Sequence, residues 1–197
     1  MMKNNKIEEY EVNSSTMFLR PIKYGSKIYT EIYETDGQFI SPFKPLEIIK
    51  KSCEFFGISY IERKEGTKRL IGVSKKVPII IDPLTSIYFF PTASPTEPHC
   101  IWISHDQVQS YQQLEDQSTL VTFQNGLSVS LPVSLRSFEA QLLRTSMLRV
   151  RYMQRAEKRE NQIYLKNQEK ASEASERKQS YILRLEREDN LIKNRID

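Results

Sequence analysis

The stretch that most constrains this chain is Leu120-Val-Thr-Phe-Gln-Asn125-Gly126-Leu-Ser-Val-Ser-Leu131. Both arms have the β-branched and apolar composition of strands, and Asn125-Gly126 supplies the positive φ angles of a tight hairpin turn. An antiparallel hairpin is therefore expected here. Other strand signals precede it. Thr16–Leu19 and Lys27–Ile32 are rich in β-branched and aromatic residues, with Gly25 and Asp36-Gly37 as turns. Pro78-Ile-Ile-Ile-Asp-Pro83 and Ser86-Ile-Tyr-Phe-Phe-Pro91 are short apolar runs bounded by prolines, and Ile101-Trp102-Ile103 is a third run of this kind. Proline interrupts a ladder and so marks strand ends.

Helical signals are fewer before Pro132 and dominant after it. Pro45 to Phe56 reads as a helix, with Pro45 at a first helical position and Gly57 as its left-handed stop. Leu46, Ile49, Cys53 and Phe56 fall on one face of it, which makes Cys53 a core residue. Gly57 to Ser74 reads as a loop-and-strand region with charges at its tip. From Ser134 onward the pattern is helical, apart from a polar stretch near Asn167–Ser175, and ends on the amphipathic piece from Tyr181 to Ile192. The expected fold class is α+β. A β-rich, mixed or antiparallel body over 1–132, with one internal helix and a basic hairpin or loop, precedes a C-terminal helical region and regulatory tail over 133–197.

At 197 residues, 39% hydrophobic and 27% charged, the chain can bury one sizeable core. The N-terminus lacks the apolar segment of a signal peptide, and no run approaches the ~20 apolar residues that cross a bilayer. Cys53 and Cys100 are the two cysteines and form no Cys-x-x-Cys spacing, which suits a reducing cytosol. A cytoplasmic protein without a membrane partner is expected.

Catalytic patterns are sparse. His99 and His105 flank Cys100, so a Cys-His nucleophile pair is conceivable, and a zinc site would need distant Cys53 or a carboxylate as a further ligand. Ordinary strand-end residues account for them better. The six glycines are scattered and form no phosphate-cradling loop. No enzyme, catalytic residue, metal site or cofactor is expected.

Charge is more telling in its placement than in its net value of +4. The first two-thirds of the chain is close to neutral. One excess lies between Arg63 and Lys76, where Arg63, Lys64, Lys68, Arg69, Lys75 and Lys76 surround Gly66 on a hairpin-like segment. The other follows Pro132. At 100° per residue, Arg144, Arg151, Arg155 and Lys158 fall within a sector of roughly 60°. Leu135, Phe138, Leu142 and Met153 take the opposite side, which is expected to pack on the body. Few Glu residues are placed to compensate the cationic stripe, so both zones suit a polyanion, with a solvated surface as the plainer alternative.

The chain resembles the bacterial competence transcription factor family ComK from about Tyr10 to about Arg155. The likeness is densest at Tyr10-Glu-Val-Asn13, Ser52-Cys-Glu-Phe-Phe-Gly-Ile-Ser-Tyr60 and Arg63-Lys64-Glu65-Gly66-Thr67. It continues through Lys76-Val-Pro-Ile79, Asp82-Pro83, Phe89-Phe-Pro-Thr92 and Cys100-Ile-Trp-Ile-Ser-His105. Val121-Thr-Phe-Gln-Asn-Gly126 and Arg144-Thr-Ser-Met-Leu-Arg149 complete it.

The resemblance implies an activator of late competence genes, those for DNA uptake and recombination, that also acts on its own promoter. It implies binding to AT-rich double-stranded DNA through the minor groove, as a homodimer or dimer of dimers, with bending of the DNA and a nucleoid-associated location. A narrow A·T-rich minor groove attracts inserted Arg or Lys and needs no recognition helix. Activation implies RNA polymerase as a further partner. The resemblance also implies regulated proteolysis through a MecA-type adaptor and a Clp protease. The nearest match to the family's adaptor motif is Ile163-Tyr164-Leu165-Lys166, which lacks the expected proline, and 167–178 departs from the family tail, which Tyr181-Ile-Leu-Arg-Leu-Glu186 resembles. Two other readings belong to different classes. One is a paralogue that regulates an activator by hetero-oligomerisation without binding DNA; the other is a Cys-His hydrolase.

Overall fold

The computed structural model describes the backbone from Asn5 to Lys193 and the side chains from Lys6 to Leu183. Among the described residues, ten strands and three helices follow one another. Strands β1 (Asn5–Lys6), β2 (Thr16–Tyr24), β3 (Lys27–Glu34) and β4 (Gln38–Ser41) lead to helices α1 (Pro45–Phe55) and α2 (Tyr60–Ile71). Strands β5 (Ile79–Asp82), β6 (Ile87–Pro91), β7 (Trp102–Ser104), β8 (Val108–Gln113), β9 (Thr119–Phe123) and β10 (Ser128–Leu131) precede the long helix α3 (Leu135–Lys193). The architecture is α+β, as expected.

Seven strands form one sheet in the order β1-β4-β3-β2-β7-β6-β5, antiparallel except where β1 runs parallel to β4. The other three form a meander in the order β10-β9-β8. Side chains alternate across a strand, so neighbours serve different cores. Leu19, Phe89 and Trp102 join Ile48, Ile49 and Cys53 of α1 on one face of the large sheet. Phe18, Phe90 and Ile103 meet Val121 and Phe123 of β9, Leu131 of β10 and Phe138 of α3 on the other. A smaller cluster at the β5–β6 end joins Ile80, Tyr88 and Leu148 with Leu70 and Ile71 of α2 and Tyr152. Burying one such large apolar side chain contributes about 1.5–3 kcal/mol.

The β9–β10 hairpin is present, with Thr119 opposite Leu131 and Thr122 opposite Ser128. Its turn is wider than a two-residue type. Gly126 N–H donates to Phe123 O at 2.9 Å, Phe123 N–H donates to Leu127 O at 2.9 Å, and Gly126 alone takes a left-handed φ of 84°. A three-residue loop of this kind needs one positive φ where the tighter turn needs two.

Helix α1 begins at Pro45 as expected, and Gly57 follows it with φ 80°. The region after it is different. Tyr60–Ile71 is a second internal helix rather than a loop, strand or hairpin, so the body has two internal helices instead of one. Its boundaries follow from local chemistry. Ser59 Oγ accepts from Glu62 N–H at 3.3 Å while the Glu62 carboxylate accepts from Ser59 N–H at 3.1 Å, a reciprocal cap. Gly72 ends it at φ 71°, its N–H donating to Lys68 O. Gly66 lies inside this helix and makes no turn.

Helix α3 also departs from expectation, because the polar stretch 167–175 is helical. Lys166-Asn-Gln-Glu-Lys-Ala-Ser-Glu173 contains strong helix formers and no Gly or Pro. The chain divides into two compact units, Met1–Tyr152 and Met153–Asp197. The division expected at 132/133 falls in the loop before α3, and Leu135 to Tyr152 belongs with the body. No described helix is long and apolar enough to cross a membrane.

Candidate nucleic-acid interface

The cations from Arg63 to Lys76 are divided between a helix and a loop. Arg63, Lys64, Lys68 and Arg69 stand on α2, whose buried side carries Tyr60 and Thr67. With a helical step of about 100°, Arg69 points opposite to Tyr60, Lys64 and Lys68 share one flank, and Arg63 takes the other. They do not form one comb, as a hairpin tip would. Lys68 is engaged by Glu65 at 2.7 Å, one turn away. Arg63 is half-buried, and its Nε has no hydrogen-bond partner among the described residues. Burial alone would raise the Asp82 carboxyl. The Thr85 hydroxyl, the Leu84 and Thr85 N–H groups and the Arg63 charge together hold it below the ordinary carboxylate range.

Lys75 and Lys76 follow α2 in a loop pinned to α3. Lys76 has a left-handed φ of 48°, and its Nζ donates to Thr92 O at 3.1 Å and Ser137 Oγ at 3.3 Å. It is a strut between the exit of β6 and the first turn of α3. Beside it, Gln141 is buried. Its Nε2 donates to Lys76 O at 2.8 Å and Pro91 O at 2.9 Å, while its Oε1 accepts from Arg144 Nη1 at 3.0 Å. One amide therefore fixes the loop, the end of β6 and an arginine together. Lys75 is left exposed next to this junction.

The buried face of α3 in the body is Phe138, Gln141, Thr145 and Leu148, with Leu142 and Leu135 half-buried at its margin. Met153, expected on this face, is 48% exposed and lies in the second unit. The inward stripe includes two polar residues, and hydropathy periodicity does not see them. Arg144 is half-buried and Arg151 exposed in the first unit; Arg155 and Lys158 are exposed in the second. Among the described residues only Lys68 of the ten expected contact residues forms an ion pair.

Arg149, by contrast, is occupied. It meets Asp106 at 2.6 Å and lies over the Tyr88 ring at 6.0 Å. Asp106 Oδ1 also meets His105 Nδ1 at 2.8 Å, and His105 Nε2 meets Ser146 Oγ at 2.8 Å. The His105 hydrogen bond and the Arg149 charge hold the Asp106 carboxyl low. This network ties the β7–β8 turn to α3, and Ser146 Oγ–H donates to Leu142 O at 3.1 Å within the helix.

Cys100 is buried, and burial pushes its thiol up to about 11. That is opposite to the lowered value a nucleophilic thiolate needs. Cys53 is likewise pushed up to about 12 by burial. Among the described residues no three His, Cys, Asp or Glu side chains are grouped for a metal. Ile163, Tyr164 and Leu165 are 52%, 62% and 57% exposed on α3, with Lys166 exposed beside them. Of the tail segment Tyr181–Glu186, the side chains beyond Leu183 lie outside the described residues.

No solved structure matches the chain. A relative named "Competence transcription factor", from Bacillus subtilis (strain 168), is 44% identical over 153 residues, covering 78% of this chain and 80% of that one. The family described as ComK protein matches residues 7–157, which takes in every strand from β2 to β10, both internal helices and the part of α3 bearing Gln141 and Arg144. On that span and that identity, this chain belongs to the ComK family.

Proposed function

We propose that this chain is a transcription regulator of competence that acts by binding DNA, as an activator of DNA-uptake genes and of its own promoter. The reading is supported by its family and by the regulator named among its relatives. The observation that carries it is a set of exposed or half-buried cations on α2, the loop after it and α3 that form no ion pair among the described residues: Lys64, Arg69, Lys75, Arg144 and Arg151. Cations that are not neutralised by an internal carboxylate are suited to displacing the counterions of a phosphate backbone. Arg63 and Lys68 contribute to the local field from half-buried positions, and Lys76 contributes by holding the loop.

AT-rich boxes read through the minor groove are the preferred target, since width and potential there attract arginine and lysine without a base-reading helix. Arg155 and Lys158 add phosphate contacts from the second unit, and pairing of copies across a promoter places two such surfaces on one duplex. RNA polymerase is the partner through which binding becomes activation. The exposed Ile163-Tyr164-Leu165-Lys166 segment is a candidate recognition site for an adaptor of a Clp protease.

A footprint on an A·T-rich promoter fragment across a salt series tests the reading. Binding should prefer A·T tracts, and neutralising Lys64, Arg69 and Lys75 together should lower the slope of log K against log salt by about 2.7, near 0.9 for each contact. No preference for A·T tracts at moderate ionic strength would refute the DNA-binding reading and favour a regulator that acts by hetero-oligomerisation.

A further inference from the structure

We infer that the β2–β3 ribbon is a second DNA-contacting element, with its tip residues Lys23, Tyr24 and Lys27, joined by Lys6, meeting the duplex backbone and groove. This inference rests on the DNA-binding reading above and assigns to it a surface other than the cations of α2, the loop after it and α3.

The ribbon exists because two strands outrun their neighbours. Strands β2 and β3 stay paired from Thr16 opposite Glu34 to Tyr24 opposite Lys27. On one side β7 pairs with β2 only at Phe18 and Leu19, and on the other β4 pairs with β3 only from Thr30 to Tyr33. From Ile22 and Tyr29 to the tip, therefore, two strands run without a third. Gly25 and Ser26 close them, with a positive φ of 61° at Gly25 alone, the requirement of a turn with glycine in its first position.

An isolated two-stranded ribbon is marginal in water. Here it is braced. Tyr24 and Tyr29 stack with centroids 4.6 Å apart and planes 15° from parallel, and Lys6 Nζ lies 5.4 Å from the Tyr24 centroid. At the base, Arg20 is held by Glu31 at 2.6 Å and by the Tyr33 hydroxyl, and half-buried Pro21, Ile22 and Ile28 border a recess shared with Pro98 and Pro132. The base is anchored and the tip is exposed, with Tyr24 at 51% exposure.

Alternation then sorts the side chains. Cross-strand partners share a face, so Tyr24, Lys27 and Tyr29 project on one side and Lys23 and Ile28 on the other. The run Arg20-Pro-Ile-Lys-Tyr-Gly-Ser-Lys-Ile-Tyr-Thr30 has no acidic residue. Lys6, Lys23 and Lys27 form no ion pair among the described residues. A narrow ribbon with cations on both faces and an aromatic pair beside Lys27 complements duplex DNA, whose grooves admit β-strands and whose phosphates line both rims of each groove. Lysines that merely protect an exposed edge from pairing would leave the salt dependence of DNA binding untouched.

The test uses the full chain and an A·T-rich duplex fragment, with the unaltered protein in parallel. Lys6→Ala, Lys23→Ala and Lys27→Ala together should lower the salt slope by about 2.7. Tyr24→Ala should weaken binding severalfold with little change in slope. A triple variant that binds with the parental slope overturns the ribbon assignment and leaves the DNA-binding reading standing. An unaltered chain that does not bind the duplex overturns both. A second measurement does not depend on losing affinity. Cys53 and Cys100 are buried, so a Ser26→Cys variant accepts a tethered DNA-cleaving reagent selectively at the exposed tip. Cleavage within the footprint is the expected result; cleavage absent while the labelled protein remains bound overturns the proposal.

Discussion

Gln141 is the residue whose replacement tests the junction of the Lys76 loop, β6 and α3 most directly. Its side chain is 1% exposed, and its single Nε2 satisfies two main-chain carbonyls, at Lys76 and Pro91. Leucine has nearly the same volume, so Gln141→Leu leaves no large cavity but strips both carbonyls of this donor and Arg144 of its acceptor. Leaving one buried acceptor unpaired costs about 1–3 kcal/mol, and two partly relaxed ones roughly 2–4 kcal/mol. For a chain of this size that corresponds to a fall in Tm of roughly 5–15 °C. Trp102 is the only tryptophan and is fully buried, so its fluorescence in urea reports the body free of signal from the second unit. The midpoint should drop with an unchanged denaturant slope. A loss below about 0.5 kcal/mol would mean that the two carbonyls are satisfied without Gln141, and the junction as described would be wrong.

Four further outcomes follow from the same structure. Gly66→Ala should stabilise the body by about 0.5–1 kcal/mol, because an added Cβ meets nothing within 4 Å inside a helix; a hairpin needing left-handed backbone at Gly66 would instead be destabilised, and urea titration separates the two. Lys75→Ala should lower the DNA salt slope by about one with stability unchanged, whereas Lys76→Ala should lower the urea midpoint. Native Cys53 and Cys100 should react with a thiol reagent far more slowly than in urea, since burial keeps both protonated at neutral pH; equal rates in both states would contradict their burial. Asp106 is held low by His105 and Arg149, so its folded value lies below the unfolded one. Its contribution is present above the unfolded value and lost as pH falls through the folded one, and Asp106→Asn should flatten the acid limb of a stability–pH curve.

Most strands were legible in the sequence because their cues are local, whereas Val108–Gln113, polar and mostly exposed, carried no such cue and was not expected. The proline-bounded Ile79–Asp82 and Ile87–Pro91 runs, the β9–β10 hairpin and Pro45 with Gly57 around α1 each carry their boundary chemistry within a few residues. Helix α2 also has local boundary chemistry, the Ser59-to-Glu62 cap, which the reading of 57–74 as loop and strand passed over. The apolar signal there is weak, since only Tyr60 and Thr67 are buried, and tertiary packing of Leu70 and Ile71 against Ile80 and Tyr88 completes the helix.

The cationic character of the chain is likewise a property of the sequence. Which of those cations are engaged within the fold is not. Lys68, Lys76 and Arg149 are engaged by Glu65, Thr92 and Asp106, two of them by groups far away along the chain. Arg144 is oriented by a glutamine that hydropathy would place at random. The β2–β3 ribbon stands alone for a similar reason, because its neighbours β7 and β4 stop short of its tip. Sequence determines charge, propensity and turn chemistry residue by residue. Partner identity and exposure are decided only when segments up to tens of residues apart compete for the same hydrogen bonds and the same buried surface.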